Sequence, residues 1–181
     1  GVFEVSGYDR LILMSDGGIN IAPTLKQKVD IVNNVVNVAH SLGISVPRVA
    51  VLSSVEQVRL DIGSTVTVDA AVLTKMNALG QIEGAVVDGP ISLDNALSSA
   101  SARMKGVQSP VVGRADIFLV HDIEAGNVFG KGLLYFAGAR WAAIVAGASA
   151  PVVMTSRADS HDDRLLSMAL AVVLTGFQGK E

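Results

Sequence analysis

The chain has 181 residues, half of them hydrophobic and only 17% charged, a balance that describes an ordered globular unit and excludes a disordered tail. Its formal net charge of -3 gives no electrostatic footprint for nucleic acid or an anionic membrane, although a local basic pocket for a small anion stays open. The absence of cysteine removes disulfides, thiolate metal sites and a cysteine nucleophile, and it is compatible with a cytoplasmic location.

No apolar run reaches the roughly 18 residues that a membrane-spanning helix needs. The opening "GVFEVSGYDRLILMSD" lacks the basic flank and cleavage pattern of a signal peptide and enters a strand almost at once. It therefore reads as the interior of a domain, and the chain as part of a longer one.

In chain order, "RLILMS" (10–15) is a short apolar run stopped by "DGG" and predicts a strand. Thr24 then caps a helix in which Val29, Val32, Val36 and Ala39 recur at helical spacing, with Ile31, Val35, Val38 and Leu42 as an adjacent stripe. Gly43 ends that helix, and "RVAVLS" (48–53) predicts the next strand. Asp69 caps a predicted helix over "AAVLTKMNAL", Gly80 stops it, and "GAVVD" is a strand leading to an Asp-Gly-Pro turn at 88–90. Ser92 caps a helix over "LDNALSSASARM", and Asp116 leads the strand "IFLVH". A helix over "GNVFGKGLLYFAG" is weakened by glycines 126, 130 and 132, each costing about 1 kcal/mol relative to alanine. "AAIVAG" and "PVVM" predict two further strands, and "LLSMALAVVLTGF" is a helix apolar nearly all round. Strands alternating with helices imply an α/β fold, a parallel-rich sheet with helices on both faces.

Ligands of open α/β sheets bind beyond the carboxyl ends of the strands, which selects "SDGGIN" (15–20), "VDGP" (87–90), "VHDIEAGN" (120–127) and "MTSRADSHDD" (154–163). His40, His121 and His161 lack ligand spacing, so no metal site is expected. The adjacent "SHDD" does not make a catalytic triad, because neighbouring side chains diverge, and no G-x-S-x-G elbow is present. "GNVFGKG" fits neither a Walker loop nor a dinucleotide fingerprint. Ser160 with Asp163 fits a capping box. Arg157 does not, since a cation gains nothing at the positive end of a helix dipole. A guanidinium beside a helix N-terminus is instead a seat for phosphate or an oxyanion. From the residues alone, plain capping and anion binding both remain open.

Taken together, "SDGGINIAP", "VAVLSSVE", "GAVVDGPISLDNALS", "ADIFLVHDIEAGNVFGK" and "GASAPVVMTSRADS" resemble the phosphate acetyl/butyryl transferase family, most closely its butyryl-transferring members. Two positions depart from the family pattern: Gly17-Gly18 replace alanines or a cysteine-alanine pair, and His121 replaces a proline. The resemblance implies an acyltransferase that moves a short-chain acyl group, butyryl or acetyl, between coenzyme A and inorganic phosphate. It implies a three-layer α/β/α, isocitrate/isopropylmalate-dehydrogenase-like fold with a parallel-rich mixed sheet, and a cytoplasmic homodimer. Coenzyme A is then a substrate, with no permanently bound cofactor, no metal and no nucleic-acid or membrane partner. Residues 1–156 would form one α/β lobe and 157–181 a return helix packing on another lobe. Ser156 and Arg157 would sit at the reacting centre, Asp163 would be the acid-base carboxylate, and Asn127 and Lys131 would line the substrate cleft. Two alternatives accompany this reading: a non-catalytic dimerising lobe, or a dehydrogenase of the same fold.

Overall fold

The computed structural model describes residues 1–61 and 65–178, so the last three residues of the expected 157–181 segment lie outside it. Among the described residues six strands form one sheet: β1 (Val2–Glu4), β2 (Ile12–Ser15), β3 (Arg48–Leu52), β4 (Val86–Ile91), β5 (Ile117–Leu119) and β6 (Arg140–Ala142). Their order is β4-β3-β5-β2-β1-β6. The run from β4 to β2 is parallel, and β1 is antiparallel to both its neighbours. Six helices among the described residues accompany the sheet: α1 (Leu25–Ser41), α2 (Val66–Ala78), α3 (Leu93–Leu97), α4 (Ser99–Lys105), α5 (Ile123–Tyr135) and α6 (His161–Gln178).

Side chains of a strand alternate between faces, and the buried residues sort accordingly. Leu13, Val49, Val51, Ile117 and Leu119 pack with α1, α2 and α6. Ile12, Met14, Ala50 and Phe118 pack on the opposite side with Ala96 of α3, Ala102 lying buried in α4, and Phe129 of α5 against them. The result is three layers, α/β/α. The short parallel strands are buried on both faces, which is why they read as continuous apolar runs rather than alternating ones.

Thr24 caps α1 with a full capping box: its hydroxyl accepts from the Gln27 amide, and the Gln27 side chain accepts from the Thr24 amide. The helix is rich in β-branched residues, which have modest helix propensity, so burial of Ile31, Val32, Val35, Val36 and Val38 holds it.

Several elements differ from the sequence expectation. Asp69 is not a cap. It lies in the first turn of α2, which begins at Val66, and its carboxylate is taken by Lys28 at 2.7 Å. The helix expected over 93–104 is two helices, because Ser98 is extended (φ -131°, ψ 110°) and its hydroxyl caps α4. Ser92 makes no capping bond; its hydroxyl, with a single proton to give, lies within hydrogen-bond reach of both the Asp94 and the Glu56 carboxylates. Asp88-Gly89-Pro90 is not a turn but part of β4, where the pairing with β3 shifts register. β4 is an edge strand, where a proline lacking its N–H breaks no ladder bond. Gly89 is required there: a Cβ would stand 2.8 Å from the carbonyl oxygen of Val51.

The strands expected over 142–147 and 151–154 shrink to the end of β6 and one Val145–Val152 bridge. Among the described residues β6 pairs only with the three residues of β1, and the amide of Ala143 turns to the Ser167 hydroxyl at 3.0 Å instead. β1 is too short to stand out as a strand of its own in the sequence, although Val2 and Phe3 are strand-favouring residues. α6 lays Leu170 and Leu174 into the core beside α1, while Leu165, Met168, Val172 and Val173 are exposed.

Candidate functional site

The antiparallel course of β1 and the return of β6 put the amino end of β1, the carboxyl ends of β2 and β5, and the carboxyl end of β6 along one edge of the sheet. There the 143–160 segment crosses to α6, and a cleft of about 500 Å³ opens. Its floor is Phe3, Met14 and Trp141, the two rings stacked with centroids 5.7 Å apart.

One wall is α5. Gly126 and Gly130 are four residues apart, so they share a helix face, and Asn127 and Lys131 share the neighbouring one. The glycines permit close approach: a Cβ on Gly126 would stand 2.6 Å from Gly17 Cα, and one on Gly130 would stand 3.2 Å from the Met14 methyl. The glycines that weaken the helix by propensity thus dock it on the β2 edge, and Asp122 caps it through the Ala125 amide at 2.8 Å. Gly132 has open space around it and no such role. Asn127 and Lys131 line the cleft, exposed, and neither has a protein partner among the described residues.

The other wall is the turn before α6 and its first residues, including Ser156, Asp159 and Asp163. Asp159 accepts from the Ser156 amide at 2.6 Å, and the Ser156 hydroxyl accepts from the Ala158 amide at 3.3 Å. That hydroxyl proton has no acceptor among the described residues, so it is left to donate. Asp163 completes the capping box: Oδ2 accepts from the Ser160 hydroxyl at 2.5 Å and the Ser160 amide at 3.1 Å, while the Asp163 amide donates to Ser160 Oγ. Its Oδ1 is uncommitted among the described residues. The Ser160 hydroxyl is therefore committed to Asp163 rather than to the adjacent His161.

Four of the five expected residues, Ser156, Asp163, Asn127 and Lys131, line one cleft. The fifth, Arg157, is exposed between two lining residues and is not itself in the lining. Its carbonyl accepts from Arg164 at 3.4 Å, and its guanidinium has no partner among the described residues.

The "SDGGIN" turn acts as a support. The Asp16 carboxylate accepts from the amides of Gly18, Ile19 and Asn20 and from the Asn20 side chain, at 2.7–3.0 Å. Partial burial pushes its pKa up, and these hydrogen bonds outweigh that and hold it below the usual carboxylate range.

Sequence reasoning missed a second cluster. Lys28, only 3% exposed, donates to Asp69 at 2.7 Å and meets His121 Nδ1 at 2.9 Å. A signal was present: Lys28 stands on the apolar stripe with Ile31, Val32 and Val35, where a lone lysine demands a buried partner. Burial, and then the Lys28 charge, push the His121 pKa down against weaker opposing pulls from Asp122 and Asp69. Among the described residues no group of three or more histidines or carboxylates could hold a metal, and no helix is long and apolar enough to cross a membrane.

Residues 1–172 match the family described as phosphate acetyl/butaryl transferase. The chain belongs to that family. It is 50% identical over 175 residues to a phosphate butyryltransferase of Clostridium acetobutylicum, covering 97% of this chain and 58% of that protein. To a phosphate acetyltransferase of Thermotoga maritima it is 45% identical over 172 residues, 95% of this chain and 58% of the relative. A solved branched-chain phosphotransacylase from Enterococcus faecalis superposes with a TM-score of 0.85 at 33% identity, covering 96% of this chain and 61% of that one. The chain thus spans a little under three fifths of the length of the curated relatives it matches.

Proposed function

We propose that the complete protein is a phosphate acyltransferase, moving a butyryl or acetyl group between coenzyme A and inorganic phosphate (acyl-CoA + phosphate = CoA + acyl phosphate). The observation that carries this is the convergence of Ser156, Asp163, Asn127 and Lys131 on one cleft at the carboxyl edge of the sheet. In the thioester-forming direction Asp163 takes the proton of the coenzyme A thiol through its uncommitted oxygen, since the thiolate is the nucleophile. The thiolate attacks the acyl carbonyl, phosphate leaves, and no covalent acyl-enzyme forms because both substrates lie side by side. Ser156 donates to the developing oxyanion or the leaving phosphate, and Lys131 with Asn127 holds the substrate. Arg157 turns from the rim onto the phosphate once substrate is bound and offsets its charge.

In this reading the fold is isocitrate/isopropylmalate-dehydrogenase-like and the enzyme is a cytoplasmic homodimer. Residues 1–156 form one lobe, and within the 157–181 segment α6 offers its exposed Leu165, Met168 and Val172 side to another lobe. The limited span of the relatives favours one companion reading, that these 181 residues alone are a catalytically silent lobe.

The test is release of free thiol from butyryl-CoA and phosphate by the complete protein. Arg157→Ala is expected to lower turnover by about a hundredfold or more, the scale of losing one preorganised charge stabiliser, with thermal unfolding unchanged. Near-normal turnover would reject the assignment of Arg157, and absence of thiol release by the unaltered complete protein would reject the reaction.

A further inference from the structure

A second cavity, of about 620 Å³, lies on the other side of the first turns of α5, beyond the carboxyl ends of β3 and β5. Asp122, Ala125 and Phe129 face it, whereas Gly126, Asn127 and Gly130 face the first cleft. Its walls are mostly apolar, with Val55, Val66, Leu93 and Phe129, and its polar groups are few: the Ser53 and Ser54 hydroxyls, Asp122 and His121. That size and make-up are those of a small-molecule pocket, apolar with a few placed polar groups.

The charges around it decide what it can hold. The Lys28 ammonium has donors and no acceptor, so its 2.9 Å contact makes His121 Nδ1 the acceptor and leaves the ring proton on Nε2. Lys28 is in turn anchored by Asp69, so it is not free to meet an anion. The Asp122 carboxylate already caps α5. Nε2–H has no protein acceptor among the described residues. The cavity therefore offers one fixed donor, two hydroxyls and apolar walls, with no free cation among the described residues that line it.

We propose that this cavity takes the uncharged, amide-bearing arm of the thioester substrate, with His121 Nε2–H donating to one of its carbonyl oxygens. The inference rests on the acyltransferase reading for the identity of the substrate. It gives the two sides of α5 separate duties, with the charged phosphate beside Lys131 and the neutral arm beside His121. His121 is a binding and positioning residue here and takes no part in proton transfer.

The test uses pantetheine as the probe, titrated into the 181-residue chain with isotope-labelled histidine and backbone amides. Pantetheine is expected to shift His121 Nε2 and the amides of Ala125 and Phe129, and inorganic phosphate to leave His121 Nε2 unmoved. His121→Phe should weaken pantetheine by about tenfold, the scale of one lost hydrogen bond, and His121→Gln, which restores a donor, should recover most of it. Equal affinity in His121→Phe, or a phosphate-induced shift at His121, overturns the proposal. If His121→Phe does not fold, the wild-type titration decides: a pantetheine-induced shift at Nε2 supports the assignment, and none refutes it. Thiol release with no effect at His121 sinks this inference alone, whereas pantetheine at His121 without thiol release sinks the transferase reading alone.

Discussion

Lys28 and Lys131 both stand on helices that frame the carboxyl edge of the sheet, and they differ in everything that decides what a charge does. Lys28 is buried and held between Asp69 and His121, so its charge is spent inside the protein. Lys131 is exposed, lines an open cleft and has no acidic partner among the described residues. Burying an ammonium is tolerable only with partners in hand, and a partnered ammonium has little left for a ligand. The two glycine classes of α5 teach the same lesson in sterics: Gly126 is pinned against Gly17, and Gly132 touches nothing.

The sharpest way to break the lysine comparison is Lys28→Met. It strands the Asp69 carboxylate in a mostly buried site and should cost about 3 kcal/mol, read as a lower midpoint in urea unfolding. Lys131→Met should stay within about 0.5 kcal/mol of the wild type while weakening phosphate binding. A matching loss of stability for both would erase the distinction.

The glycine comparison comes next. Gly126→Ala forces a methyl against backbone and should destabilise by about 2 kcal/mol, whereas Gly132→Ala should stabilise by up to about 1 kcal/mol. Thermal midpoints moving in opposite directions check this.

Acid should act through the "SDGGIN" support. The Asp16 pKa is depressed in the fold, so its contribution is present above the ordinary carboxylate range and is lost as pH falls from about 4 through the lower folded value. Asp16→Asn keeps part of the bonding but cannot titrate, and its urea midpoint should fall less steeply below pH 4 than that of the wild type. Parallel curves would show that other carboxylates carry the acid sensitivity.

The smallest expected effect is at the start of α6. Ser160→Ala removes the cap and should cost about 1 kcal/mol, in the same range as any N-cap loss, measured by thermal unfolding. A change several times larger would mean that the turn carrying Ser156 is supported by Ser160 alone.

What was legible in the sequence follows from locality. The Thr24 cap, Ser160 with Asp163, and the apolar runs of β2, β3 and β5 are patterns set by residues a few positions apart, and each lies where the spacing placed it. The gathering of candidate loops at one sheet edge was also foreseeable, because parallel strands put their carboxyl ends together. The exceptions have long-range causes. "VDGP" reads as a turn, but β3 recruits it into an edge strand. The two short helices α3 and α4 are separated at Ser98, whose hydroxyl caps the second, while Glu56, nearly 40 positions earlier, takes the Ser92 hydroxyl and the Asn95 amide.

The sequence by itself determined the α/β class, the cap of α1 and the edge of the sheet to which the candidate loops run, because periodicity, capping and strand direction are written locally. Only the tertiary structure decided that β1 is a strand, that Gly126 exists to meet Gly17, that Lys28 is spent on Asp69 and His121, and that Arg157 stands outside the cleft its neighbours line. Each of those depends on which distant backbone comes within a few ångströms, and contact at long separation leaves no period in the chain.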